Sequence, residues 1–178
     1  MEQIILILKK LDKISYNISR IGAVISGVLI ALIALMIFCY IINRQFIGYT
    51  WLFVEEWAGL SMVPMTYLAL AYTLRWNQHI YVDALVGRFS LKTQNIIGFL
   101  VSLLSLIILG FIIERSVNWF MYTWIDHIAS LGPMRTPLWP ITISIVVGSV
   151  MYFIDTFFFM VQKVLNLIGR TDVLNFHE

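Results

Sequence analysis

Two adjacent carboxylates, Glu55 and Glu56, stand out in a sequence of 178 residues of which only 12% are charged. Adjacent side chains on a helix point about 100° apart, so this pair cannot share one ligand as a catalytic or metal-binding pair would. Near the start of a helix, carboxylates are stabilised by hydration and by the positive end of the helix dipole. Two interpretations follow: the carboxylates pair with Arg44 across a short loop, or they form an ion- or proton-coupling site.

A second polar group, Arg75, His79 and Asp83, recurs at every fourth position. If a helix continues past Leu74, these three side chains share one face of it. Such a face could contact a partner protein, cap the helix end or bind phosphate headgroups. We favour an anchoring or subunit-contact role over catalysis, because one histidine at an interface is not a proton relay.

Asp155 is the only charged residue of the last apolar stretch, 138–161. A carboxylate within a membrane span is costly unless it has a partner. We therefore expect Asp155 to face another helix or a buried cation. The candidate cations are Arg20, Arg75 and Lys92.

Catalytic and metal chemistry have little support in this sequence. Cys39 is the single cysteine, which excludes an internal disulfide and a CxxC site. The histidines, His79, His127 and His177, do not occur at metal-ligand spacing on one helix. No set of nucleophile, base and orienting group can be assembled. We predict a protein that is not an enzyme and that holds no cofactor or metal ion.

The composition indicates a membrane protein. Hydrophobic residues make up 60% of the chain and the mean hydropathy is +0.87, whereas soluble domains are about 45–50% apolar. The net charge of +2 gives no reason to expect nucleic acid as a partner. About 20 apolar residues are needed for a helix to cross the hydrocarbon core. Four stretches meet that requirement: 21–42, 51–74, 93–113 and 138–161.

We predict that the whole chain, 1–178, forms a single all-α integral membrane domain with four transmembrane helices. Residues 1–20 alternate apolar residues with lysines, which suits an interfacial amphipathic helix that lies along the membrane surface before the first span. Nine of the twelve Lys and Arg residues fall on one side of the predicted spans. By the positive-inside rule, both termini are then cytoplasmic.

Local features of the spans predict how the helices pack. Pro64 removes a backbone amide from the middle of the second span, which predicts a kink or local loosening. The third helix could continue past Glu114, and the long connection at 114–136 is either a docking surface or an interfacial loop. Small residues in the first and last spans suit close helix packing: Gly22, Ala23, Ser26, Gly27, Gly148 and Ser149.

Between residues 42 and 83 the order of polar side chains resembles the small membrane subunit of tripartite ATP-independent periplasmic (TRAP) transporters, the DctQ-like family. In that family an arginine follows the first span, and a tryptophan and a Glu-Glu pair open the second. An arginine, a histidine and an aspartate then follow at its cytoplasmic end. The matching positions are Arg44, Trp51, Glu55, Glu56, Arg75, His79 and Asp83. With Asp155, these are the candidate structural or subunit-interface residues.

The resemblance implies a transport role in the bacterial inner membrane. Such systems import organic acids, among them C4-dicarboxylates and sialic acid, by using a sodium gradient. A periplasmic substrate-binding protein delivers the substrate, and a large multi-span membrane subunit holds the substrate and sodium sites. The small subunit stabilises the large one in the lipid bilayer as a heterodimer, so sodium is expected on the large subunit and not in this chain.

Two other functions stay open at this point. An accessory four-span subunit of another membrane complex would share the composition and lack only the order of the motifs. A self-sufficient small ion-coupled transporter is the other alternative. Four-span exporters of that kind carry an essential glutamate in the first span, whereas 21–42 contains no charged residue.

Overall fold

The computed structural model, which describes residues 2–75 and 90–167, consists of four long helices. They are α1 (Glu2–Phe46), α2 (Leu52–Arg75), α3 (Leu91–Ile125) and α4 (Trp139–Leu167). No strand occurs in the two described ranges, which confirms the all-helical prediction. At the start of α3, the Ser90 side chain caps the helix by accepting a hydrogen bond from the amide of Thr93.

Three of these helices are long and apolar enough to cross a membrane: α1 over Lys9–Phe46, α3 over Lys92–Ile125, and all of α4. These helices support the prediction of a membrane protein. α2 is not among them, because its two glutamates, Pro64 and several hydroxyl residues lower its apolar content. The fourth span therefore stays a prediction.

α1 is one uninterrupted helix of 45 residues, so no break separates the predicted arm, 1–20, from the predicted first span, 21–42. Nothing in the sequence near this junction would end a helix, because it contains no proline and only an isolated glycine, Gly22. At about 1.5 Å per residue the helix is roughly 68 Å long, whereas the hydrocarbon core is about 30 Å thick. α1 therefore extends well beyond the core.

The side of α1 that packs against the rest of the protein consists of small and polar residues. Asp12, Ser15, Ser19, Gly22 and Ser26 are all buried, at alternating spacings of three and four residues. In lipid, apolar side chains gain little by turning inward, and small residues allow close helix contact. The apolar neighbours accordingly point outward and are about half exposed: Leu11, Ile14 and Ile18. The predicted apolar face of the arm is thus free to contact lipid, but the burial of Asp12 was not predicted.

α4 is the central helix and packs against the other three. α2 packs against both α1 and α4, whereas α3 packs extensively against α4 alone. α2 and α3 therefore diverge and leave a groove between them. Hydroxyl groups join neighbouring helices: Ser26 Oγ donates to the carbonyl of Met65, and the Oγ1 atoms of Thr123 and Thr142 lie 2.9 Å apart.

The helix ends differ in two places from those predicted. α3 continues to Ile125, which confirms that the third helix runs past Glu114. The connection between α3 and α4 is therefore 126–138 and not 114–136. α2 also continues through Pro64, so the predicted loosening does not interrupt the helix.

Two glycines bring α1 and α4 close to the backbone of α2. A Cβ atom added to Gly22 would lie 2.7 Å from the carbonyl oxygen of Leu68, and one added to Gly148 would lie closer still to that of Tyr67. Real Cβ atoms essentially never come so near to other atoms. The predicted close packing is confirmed for both glycines, whereas Gly27 has nothing within 4 Å of the added atom.

We expect Gly148→Ala to destabilise the protein, because the new methyl group meets backbone that cannot move without shifting a helix. Overpacking costs about 1–3 kcal/mol, which outweighs the gain of about 0.5–1 kcal/mol from replacing a helical glycine. Gly27→Ala is the matched control and should be neutral or stabilising. Thermal unfolding in mild detergent measures both variants, and equal transition temperatures would contradict the close contact at Gly148.

Candidate functional site

The carboxylate of Glu56 is enclosed by the loop that joins α3 to α4, 126–138. It accepts hydrogen bonds from the amide of Met134 at 2.9 Å, from the amide of Thr136 at 3.1 Å, and from Ser130 Oγ. Hydrogen bonds to an ionised acceptor are stronger than neutral ones, so amides and a hydroxyl can hold a carboxylate without a cation. Glu56 therefore fixes the loop to the first turns of α2.

The loop is a short antiparallel turn that closes around this carboxylate. Ala129 and Pro137 form an isolated β-bridge at its base. At its tip, Gly132 lies so close to Glu56 that an added Cβ atom would collide with the carboxylate. Glycine at position 132 is therefore needed for the close approach, and the shape of the loop depends on both residues.

Glu55 points away from Glu56 and has a different partner. Tyr40 Oη donates to Glu55 Oε1 at 3.0 Å, which joins α1 to α2. The two carboxylates thus do not share a ligand, as their adjacent positions on a helix predict. Arg44 lies within the described residues and is exposed, and it forms an ion pair with neither glutamate. The predicted pairing of Arg44 across the loop is wrong.

Aromatic residues surround the same end of the molecule, which we call the Glu56 end. Trp51 precedes α2 and stacks against Phe53, with the ring centroids 5.9 Å apart. Trp124 and Trp139 form an edge-to-face pair between α3 and α4, with a centroid distance of 5.0 Å. Tryptophan is enriched where a membrane protein meets the membrane–water interface, so these residues suit that position.

At the opposite end of α2, a buried charge cluster joins three helices, and we call it the Arg75 cluster. Arg75 Nη1 lies 2.7 Å from Asp12 Oδ1 of α1, and Nη2 lies 2.5 Å from Asp155 Oδ1 of α4. All three side chains are 0% exposed. Ser15 Oγ and Ser19 Oγ donate to the two oxygens of Asp155 at 2.6 Å and 2.5 Å.

The geometry of the Arg75 cluster follows from the shape of the guanidinium group. Arginine presents five N–H donors in a rigid plane, so one side chain can hold two carboxylates. The ring of Tyr16 covers the group, with 5.8 Å between the guanidinium carbon and the ring centroid. The prediction that Asp155 faces another helix or a buried cation is confirmed, and of the three candidates the partner is Arg75.

The sequence led to different predictions for three residues of this region, Asp12, His79 and Asp83. Asp12 was not predicted to take part, because 1–20 was assigned to the membrane surface. The signal that could have found it is its spacing from Ser15 and Ser19 on the same face of α1. His79 and Asp83 lie outside the described residues, so their predicted face shared with Arg75 stays a prediction.

The two sites hold the molecule together. In residues 2–75 and 90–167 no group of three or more His, Cys, Asp or Glu side chains could hold a metal ion. Backbone amides of this chain donate hydrogen bonds to the Glu56 carboxylate. The guanidinium group of Arg75 lies between the carboxylates of Asp12 and Asp155. The fold and these sites define a helical membrane protein in which buried charges hold the helices of one chain together.

The chain belongs to the DctQ family, the DctQ component of tripartite ATP-independent periplasmic transporters, whose profile matches residues 33–170. It is therefore a small membrane component of a TRAP transporter, and this family consists of transporter components and not of enzymes. The matched range includes Glu56, Arg75 and Asp155 and begins after Asp12. No curated protein and no solved structure matches the chain.

Proposed function

We propose that this chain stabilises the large transport subunit of a sodium-coupled TRAP transporter in the bacterial inner membrane. The complete system imports an organic acid, such as a C4-dicarboxylate or sialic acid, which a periplasmic binding protein delivers. The large subunit binds the substrate and the sodium ions. The small subunit is a fixed scaffold beside it.

The observation that carries this proposal is that the buried charges of the described residues are paired with one another within the chain. A carrier of carboxylates needs a buried cation that can bind the substrate. Arg75 is the fully buried cation of the described part, and both Asp12 and Asp155 already occupy its guanidinium group. A role in assembly therefore explains the buried charges better than a role in substrate binding.

In the proposed orientation all four helices cross the membrane, with the Arg75 cluster towards the cytoplasm and the Glu56 end towards the periplasm. α2 has 24 residues and is about 36 Å long, which is sufficient for a span. The lysines near the start of α1 lie on the Arg75 side, as the positive-inside rule requires. This amino-terminal part of α1 is proposed to lie near the cytoplasmic headgroups.

Co-purification tests the proposed function. With an affinity tag at the carboxyl terminus and mild detergent, the chain should bring down one much larger multi-span protein in stoichiometric amount. The pair, reconstituted in liposomes with its binding protein and a sodium gradient, should import an organic acid. The chain alone, as the matched control, should not. Transport by the chain alone would contradict the scaffold role.

A further inference from the structure

We propose that the groove between α2 and α3 receives a transmembrane helix of the large subunit. This helix brings a carboxylate to Arg115 and a hydrogen-bonding group to Ser149. The inference rests on the proposed function and assigns the subunit contact to one surface of this chain.

The surface in question, the α2–α3 groove, runs along the middle of α3. Tyr67 of α2 lines one side, Ile108 and Ile112 of α3 line the other, and Ile145 and Ser149 of α4 lie at its floor. It exists because α2 and α3 both pack against α4 but make no extensive contact with each other. The groove is open along one side, so a neighbouring helix can enter it laterally.

The floor of the groove contains a hydrogen-bonding group that the chain leaves unpaired. Ser149 is 1% exposed, and its Oγ atom has no hydrogen-bond partner. Other buried hydroxyls bond to a carbonyl of their own helix: Ser102 to Gly98 at 2.6 Å, and Thr156 to Tyr152 at 2.7 Å. An unpaired polar group is unfavourable within lipid, so a group from outside the chain would stabilise Ser149.

Arg115 also lines the groove, ten residues before the end of α3. It is exposed, and neither Glu114 nor any other carboxylate of the described residues pairs with it. An arginine inside a membrane-spanning helix is costly, and a carboxylate from a neighbouring helix would stabilise it. α3 and α4 are antiparallel, with Thr123 beside Thr142, so Ser149, which follows Thr142 by seven residues, lies near the level of Arg115. The partner helix should therefore carry an acidic residue and a second polar residue at about the same level.

A protein helix fits these groups better than a lipid chain. An acyl chain has no atom that can bond to the Ser149 hydroxyl, whereas helix association in membranes uses hydrogen bonds and small residues. The outer face of α1 is different, because it presents aliphatic side chains that suit lipid: Val24, Val28, Leu32 and Leu35. The groove, which is mostly apolar but contains Arg115 and Ser149, is thus the surface suited to the large subunit.

Photo-cross-linking in the complete complex tests this assignment. The photo-reactive residue p-benzoylphenylalanine is placed at Ile112 in the groove and, as the matched control, at Leu32 on α1; these positions are 37% and 56% exposed. We expect the probe at Ile112 to link to the large subunit and the probe at Leu32 to link to lipid. Arg115→Glu should reduce the Ile112 adduct about tenfold, whereas Arg20→Glu, at an exposed site on α1, should not.

The identity of the adduct decides between the possible occupants. Mass spectrometry should place the Ile112 link on a helix of the large subunit that carries an acidic residue. Three results would overturn the assignment. The Ile112 probe could link to a phospholipid, it could link to a second copy of this chain, or the probe at Leu32 could link to the large subunit while the probe at Ile112 does not. If the complex still co-purifies in those cases, the proposed function stands and the groove assignment alone is wrong. Failure of the unmodified chain to co-purify would reject the proposed function itself.

Discussion

Arg75→Met is expected to unfold the protein or to prevent it from accumulating in the membrane. The substitution removes the cation that Asp12 and Asp155 share, so two carboxylates stay buried without a counter-charge. Breaking a buried ion pair by removing one partner costs about 3–5 kcal/mol, and whole domains are stable by only about 5–15 kcal/mol. Thermal unfolding in detergent and the amount of protein in the membrane fraction measure the effect.

Two control variants test the physical reason for that loss. Arg20→Met removes an exposed arginine and should change stability by less than about 0.5 kcal/mol. The triple variant Arg75→Met, Asp12→Leu, Asp155→Leu removes every charge of the cluster and should recover most of the lost stability, because buried ionic groups can often be replaced by apolar ones at little cost. A triple variant as unstable as Arg75→Met would contradict the uncompensated charge as the cause.

Glu56→Gln is expected to release the loop 126–138. Glutamine has the same size, but its NH2 group is a donor and would face the amide of Met134 or Thr136, which needs an acceptor. The lost charge-assisted hydrogen bond and the unpaired donor together cost about 3 kcal/mol. The loop contains the exposed Arg135, so trypsin reports its opening. Cleavage after Arg135 should become about 100-fold faster, the change that corresponds to this free energy.

Glu55→Gln is the matched control for the loop experiment. Glu55 is the neighbouring carboxylate, is exposed and accepts its hydrogen bond from Tyr40 and not from the loop. The glutamine oxygen can still accept that bond. We therefore expect cleavage after Arg135 to stay at the wild-type rate. Equal acceleration by both substitutions would show that general destabilisation, and not the contacts of Glu56, opens the loop.

The helices were predictable because apolar stretches of this length can cross lipid only as helices or closed barrels. The predicted spans 51–74 and 138–161 start within one residue of α2 and α4. The end of α3 was harder to predict. Residues beyond Glu114 are polar enough to end a span but contain nothing that ends a helix. The absence of a break in α1 near residue 20 has the same explanation.

The partners of the charged residues were less predictable than the helices. The donors to Glu56 include the backbone amides of Met134 and Thr136, and every residue other than proline carries such a group. Asp12 was not predicted, because residues 1–20 were expected to lie along the membrane surface. In a membrane the small and polar side packs inward, and the positions of Asp12, Ser15 and Ser19 follow that pattern.

The continuity of α1 has a consequence for the kind of bilayer that suits this protein. Asp12 binds Arg75, and Tyr40 binds Glu55, 28 residues further along the same helix. That separation is about 42 Å along α1 but only about 30 Å along α2, where the partners Glu55 and Arg75 are 20 residues apart, and about 30 Å is the thickness of the hydrocarbon core. A thinner bilayer would force the whole molecule to tilt, since the helix cannot shorten, and hydrophobic mismatch costs a fraction of a kcal/mol per ångström. The spacing of these two contacts along α2 thus suits one thickness of the hydrocarbon core.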